Sequence, residues 1–154
     1  MYQLVASMSP DRFAALYRAL PDTMREALDA PVARVLNARP AFVRRQPEAL
    51  RIKALRAYLA RERDDTLCSE ILRSYFLGPR KELVVAFLDA TGVKHEDGQV
   101  ADDAAPDEAK VPEAVKALLA AHERDDVALY LRIAAIQWPD SEAIRTALAE
   151  LTPG

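Results

Sequence analysis

Glycine is scarce in this chain, with 4 residues in 154 against 10 prolines. Tight hairpins and left-handed turns draw heavily on glycine, so a fold made of many short strands is excluded. Cysteine is nearly absent too. Cys68 stands alone and cannot staple the chain to itself, which removes the disulfide scaffolds. Long apolar runs are missing as well, because charges interrupt every candidate helix, and a bilayer span needs about 20 apolar residues. Met1 to Ser9 lack the basic start and apolar stretch of a secretory leader, so a cytoplasmic protein is expected.

Catalytic signatures are equally thin. There is no Gly-x-Ser-x-Gly elbow, no phosphate-cradling glycine loop and no Cys or His pair at zinc spacing. The sequence therefore calls for no cofactor and no metal, and the expectation is a protein that is not an enzyme. Cys68 lies on an apolar stripe, where a thiol behaves as a small hydrophobe. His122 shares a stripe with Val115, Leu118 and Leu119 and reads as a partly buried, hydrogen-bonded side chain. His95-Glu96-Asp97 and the carboxylates after it lack the alternating ligands of a calcium loop, so they read as a solvated acidic loop.

What is present is helical. Apolar residues make up 51% of the chain, enough for a core without metals or disulfides. Ala, Leu and Arg dominate, and prolines punctuate them. The expectation is one all-α domain of about eight short helices, arranged as a bundle or a short α-solenoid. Ser9-Pro10-Asp11 opens a helix carrying Phe13, Leu16, Tyr17 and Leu20 at helical spacing, which Pro21 ends. Short helices over 22–28 and 31–37 follow, and Phe42 and Val43 suit a single turn. Residues 1–46 form an N-terminal helical cap in this reading.

From Pro47 a duplication becomes visible. Pro47-Glu48-Ala49 leads to Glu62-Arg63-Asp64-Asp65, and Pro112-Glu113-Ala114 leads to Glu123-Arg124-Asp125-Asp126. The proline openings lie 65 positions apart and the acidic junctions 61, a difference of 4 that is close to one helical turn. Two related three-helix units are expected, 47–92 and 111–154, joined by an acidic loop at 93–110. Gly92 supplies a left-handed stop for the last helix of the first unit. Each junction reads as punctuation: Asp64 or Asp65, and Asp125 or Asp126, cap the helix that follows, while Arg63 and Arg124 suit a helix C-terminus. The sharper alternative is a pair of carboxylate sites for a metal or partner.

Charge is unevenly spread. Residues 1–63 carry 12 basic against 6 acidic side chains, and residues 64–154 carry 9 against 18, so +6 and −9 make the net −3. Either the halves attract one another or the first half meets an anionic partner. Basic residues crowd between Arg34 and Arg63, and the candidate anion-binding set is Arg39, Arg44, Arg45, Arg51 and Arg56. On the helix from Pro47, however, Arg51, Lys53, Arg56 and Arg61 point in different directions. The leading functional expectation is a non-enzymatic helical adaptor or regulatory module that binds another protein. The alternative is binding of nucleic acid or another polyanion through the basic region.

Overall fold

The computed structural model describes residues 1–151, and helix occupies 71% of it, which makes the protein all-α. The helices are α1 (Tyr2–Ala6), α2 (Pro10–Ala19), α3 (Asp22–Ala27), α4 (Asp29–Leu36), α5 (Pro40–Val43), α6 (Glu48–Glu62), α7 (Asp65–Leu77), α8 (Lys81–Thr91), α9 (Val111–Ala121), α10 (Arg124–Gln137) and α11 (Glu142–Leu151). Among the described residues the strands are β1 (His95–Glu96) and β2 (Gln99–Val100), an antiparallel pair. By packing, the chain divides into two compact units, Met1–Pro79 and Arg80–Gly154.

In the first unit, α2 begins as its sequence dictates. The Ser9 hydroxyl accepts from the Arg12 N–H at 3.1 Å, and Pro10 occupies the first helical position. Phe13, Leu16 and Tyr17 are buried along the face that turns inward. α4 starts at Asp29, two residues earlier than the proline suggested. Pro31 falls within its first turn, where the missing N–H has no intrahelical partner to lose. α6 packs on α4, and α1 lies against α6 and α7. α1 carries no sequence stripe because it is only five residues long. It is anchored by Asp65, whose carboxylate accepts from the Met1 ammonium and the Tyr2 N–H, each at 2.8 Å.

In the second unit, α9, α10 and α11 pack on one another, and α8 packs on α9. Phe87 of α8 meets Tyr130 of α10 edge-on, with ring centroids 5.4 Å apart. Gly92 ends α8 at φ 72°, as the sequence anticipated. The division at Pro79 differs from the one drawn from the repeat, which would leave α8 with α6 and α7. Helix order repeats between the two stretches, but α6 finds its closest neighbour in α4, outside the repeat. Residues 152–154 of the expected second unit lie outside the described residues.

The acidic segment 93–110 departs from the expected loop. Asp97 and Gly98 have φ of 54° and 87°, the paired positive values of a type I′ turn, and they close the β1–β2 hairpin. His95 accepts from the Gly98 N–H through Nδ1 at 3.2 Å and meets Asp89 through Nε2 at 3.0 Å. The Asp107 N–H donates to the Thr91 carbonyl at 2.9 Å, and the Trp138 indole N–H donates to the Ala104 carbonyl at 2.8 Å. These bonds give the segment a defined path across α8 and the end of α10.

Candidate functional site

α9 and α11 pack side by side, and each presents one helical stripe to a shared groove. On α9 the stripe is Pro112, Val115, Lys116 and Leu119; on α11 it is Ala143, Thr146, Ala147 and Glu150. Both follow the i, i+3, i+4, i+7 spacing of a single helix face. Leu119 is half-buried, whereas the α11 side is floored by small side chains, so the space between the axes is left open. The groove has a volume of about 680 Å³ and a mainly apolar floor.

Its rim is acidic. Glu142 and Glu150 are exposed at the two ends of α11, and Glu108 stands beside them. The Glu108 carboxylate accepts from the Ser141 hydroxyl and from the Ala143 N–H, the latter at 2.9 Å, and those bonds hold its pKa below the usual glutamate value. The one basic lining residue, Lys116, lies 3.9 Å from Glu113 on the preceding turn. Chemically the groove can take up apolar side chains, and its rim favours positive charge around them.

The five arginines named from sequence are not gathered into one surface. Arg39 is exposed and precedes Pro40 at the start of α5. Arg45 lies over the Phe42 ring, 5.3 Å from its centroid. Arg56 donates to the Met8 carbonyl at 3.0 Å and lies 5.7 Å from the Phe13 centroid. Arg44 pairs with Asp29 at 2.9 Å and Glu26 at 3.4 Å. Only Arg44 and Arg51 come together, in a small cleft of about 150 Å³ with Asp22, Arg25, Glu26 and Asp29.

The acidic junctions prove unlike one another. Asp64 caps α7, accepting from the Leu67 N–H at 2.9 Å, as read from the sequence. In the second copy no side chain caps α10, which starts earlier, at Arg124, and carries Asp125 and Asp126 within its first turn. Asp126 is 1% exposed and accepts from Arg80 instead. That corrects the expectation of a second capping aspartate: a guanidinium partner holds this carboxylate inside the unit. Arg124 donates to the Leu151 carbonyl at 3.3 Å.

Cys68 is fully buried, and burial pushes its thiol up to about 11, against the thiolate that a nucleophile needs. Among the described residues no three His, Cys, Asp or Glu side chains converge as metal ligands, and no helix is long and apolar enough to cross a membrane. His122 is half-buried at the end of α9. Comparisons with protein-family models, with curated proteins and with solved structures find no match to this chain.

The groove was not named from the sequence, although part of its signal was there. Val115 and Leu119 stand on the apolar stripe already noted for α9. The other half of the signal is small: Ala143 and Ala147 on α11 leave room only because of what lies opposite them.

Proposed function

We propose that this protein is a non-enzymatic helical adaptor that binds another protein by taking an amphipathic helix of it into the α9–α11 groove. The observation that carries this reading is the groove itself. Two parallel stripes leave an apolar trough of about 680 Å³, about two helical turns long from Ala143 to Glu150, at the roughly 1.5 Å rise of a helix. A partner helix would seat two or three apolar anchors at i, i+3 or i+4, and i+7 along that length.

The rim decides the partner's flanks. Glu142 and Glu150 stand exposed at the ends, and residues 80–154 carry 8 basic against 15 acidic side chains. A partner helix flanked by Lys or Arg is therefore favoured in approach and orientation.

Two synthetic helical peptides with identical apolar anchors, one flanked by Lys and the other by Glu, test the reading on the full chain. The Lys-flanked peptide should bind at micromolar strength and shift amide signals of α9 and α11. Absence of binding, or shifts confined to other helices, would refute the assignment.

A further inference from the structure

In the first unit, a different feature points to a small-molecule site. The cleft between α3, α4, the end of α5 and α6 is lined by three carboxylates, Asp22, Glu26 and Asp29, and three guanidiniums, Arg25, Arg44 and Arg51. Their pairing is uneven. Arg25 serves Asp22, while Arg44 serves both Asp29 and Glu26, so two arginines satisfy all three carboxylates. Arg51 is left over. Its Nε is buried, yet it has no hydrogen-bond partner among the described residues. A buried N–H on a charged group is costly when no acceptor meets it, and an acceptor supplied from outside is one way such a group is satisfied.

The surroundings specify the missing acceptor. Tyr17 is 1% exposed; burial pushes its hydroxyl up, with the Arg51 charge opposing and the Asp29 charge adding. The Arg51 charge also helps hold Glu48 below the usual glutamate range, behind the Arg18 hydrogen bond that does most of it. The Arg51 charge is thus felt at Tyr17 and Glu48 beside the cleft, while the ion pairs of the cleft itself run through Arg25 and Arg44. A guanidinium offers two parallel N–H groups that match a carboxylate in a fork. Phosphate fits less well, because Asp22, Glu26 and Asp29 would face a second negative charge. The volume of about 150 Å³ admits only a few heavy atoms.

We propose that this cleft is a binding site for a small monocarboxylate, held by Arg51. The site is independent of the α9–α11 groove, and neither reading depends on the other.

The test titrates the full chain with sodium acetate at constant ionic strength, following the Arg51 Nε–H signal by NMR. The expected result is a saturable shift with half-saturation at about 1–10 mM, the weak end of specific affinity. Sodium phosphate and sodium chloride should give weaker, unsaturated shifts. Arg51→Met should weaken acetate binding at least about tenfold, because the fork is gone while much of the apolar stem remains. A linear acetate response, a phosphate affinity equal to or above that of acetate, or unchanged saturation in Arg51→Met would overturn the proposal. Because the Nε–H signal is read in the unsubstituted protein, the acetate and phosphate titrations decide the matter even if Arg51→Met fails to fold.

Discussion

Arg80 donates through Nε to the Asp126 carboxylate, and Asp126 lies buried in the first turn of α10. At the matching place in the other copy of the same four-residue sequence, Asp65 is exposed and Asp64 makes the cap of α7. One sequence thus serves two physical purposes. A cap adds a hydrogen bond and favourable dipole interaction at a surface, whereas a buried carboxylate depends on the cation that satisfies it. Asp126→Ala is expected to cost about 2 kcal/mol, by removing a charge-assisted hydrogen bond at a buried position and opening a void, and Asp64→Ala about 1 kcal/mol. Urea denaturation midpoints for the two variants compare them directly, and equal losses would contradict the distinction.

Gly78 closes α7 for a reason of space. A Cβ there would lie 2.6 Å from the Ser74 carbonyl oxygen and 3.2 Å from Cγ of Pro21. The first of these is backbone and cannot swing away. Gly78→Ala is expected to cost about 1–3 kcal/mol, as overpacking does. A Cβ at Gly92 would meet only the Lys110 Nζ, 3.9 Å away and free of clash, but Gly92→Ala must keep φ at 72°, so its cost should be about 1 kcal/mol, from backbone strain. Thermal melts of the two variants rank them, and a Gly78→Ala protein as stable as the parent would show that the turn can relax.

Local features of this fold were legible because their causes are local. Ser9-Pro10 needs only the next three residues to cap a helix, Gly92 only its own backbone, and the stripe of Phe13, Leu16 and Tyr17 only helical spacing. The hairpin was written just as locally, in Asp97-Gly98, but the acidic composition around it suggested a loop, and a two-residue turn signal outweighs composition there. The helix-capping role was readable at Asp64 and not at Asp126, whose partner Arg80 is 46 positions away. The candidate sites depend on still less visible facts. The groove exists because Ala143, Thr146 and Ala147 are small where α9 runs beside them, and Arg51 matters because Arg44 takes both Asp29 and Glu26. Volume that is missing and a partner that is already taken leave no mark at any single position.

Glu48 and Arg18 predict a pH dependence with a definite sign. Arg18 Nε donates to Glu48 at 2.6 Å, and this bond, aided by the Arg18, Arg51 and Arg25 charges, holds the Glu48 carboxyl below its ordinary value of 4.5. A carboxyl whose folded pKa is depressed stabilises the fold above its unfolded value and loses that contribution as pH falls through the folded value. The contribution should therefore be complete at neutral pH and should fade only below about pH 4.5. Arg18→Met should bring the Glu48 titration back toward 4.5 when its side-chain carboxyl carbon is followed by NMR. An unchanged Glu48 titration in that variant would assign the depression to Arg51 and Arg25 instead. The pair is solvent-exposed on both sides, so the stability at stake is small.

The groove makes its own prediction through two kinds of variant. Thr146 is exposed and lines the trough, so Thr146→Trp should fill it without disturbing the buried face of α11, where Ile144, Ala147 and Leu151 lie. Binding of a Lys-flanked amphipathic peptide should then fall by about tenfold or more, since its apolar anchors lose their seat. Glu142→Lys combined with Glu150→Lys leaves the trough open and reverses the rim. That protein should bind the Lys-flanked peptide about tenfold more weakly at low salt, and the difference should shrink as salt is added, because exposed charges are screened beyond about 10 Å at 0.1 M. Isothermal titration at two salt concentrations separates the effects: the tryptophan loss persists in salt and the charge-reversal loss does not. Loss of binding from the charge reversal that is indifferent to salt would mean the rim acts through structure, and the electrostatic choice of partner would fall while the apolar seat remained.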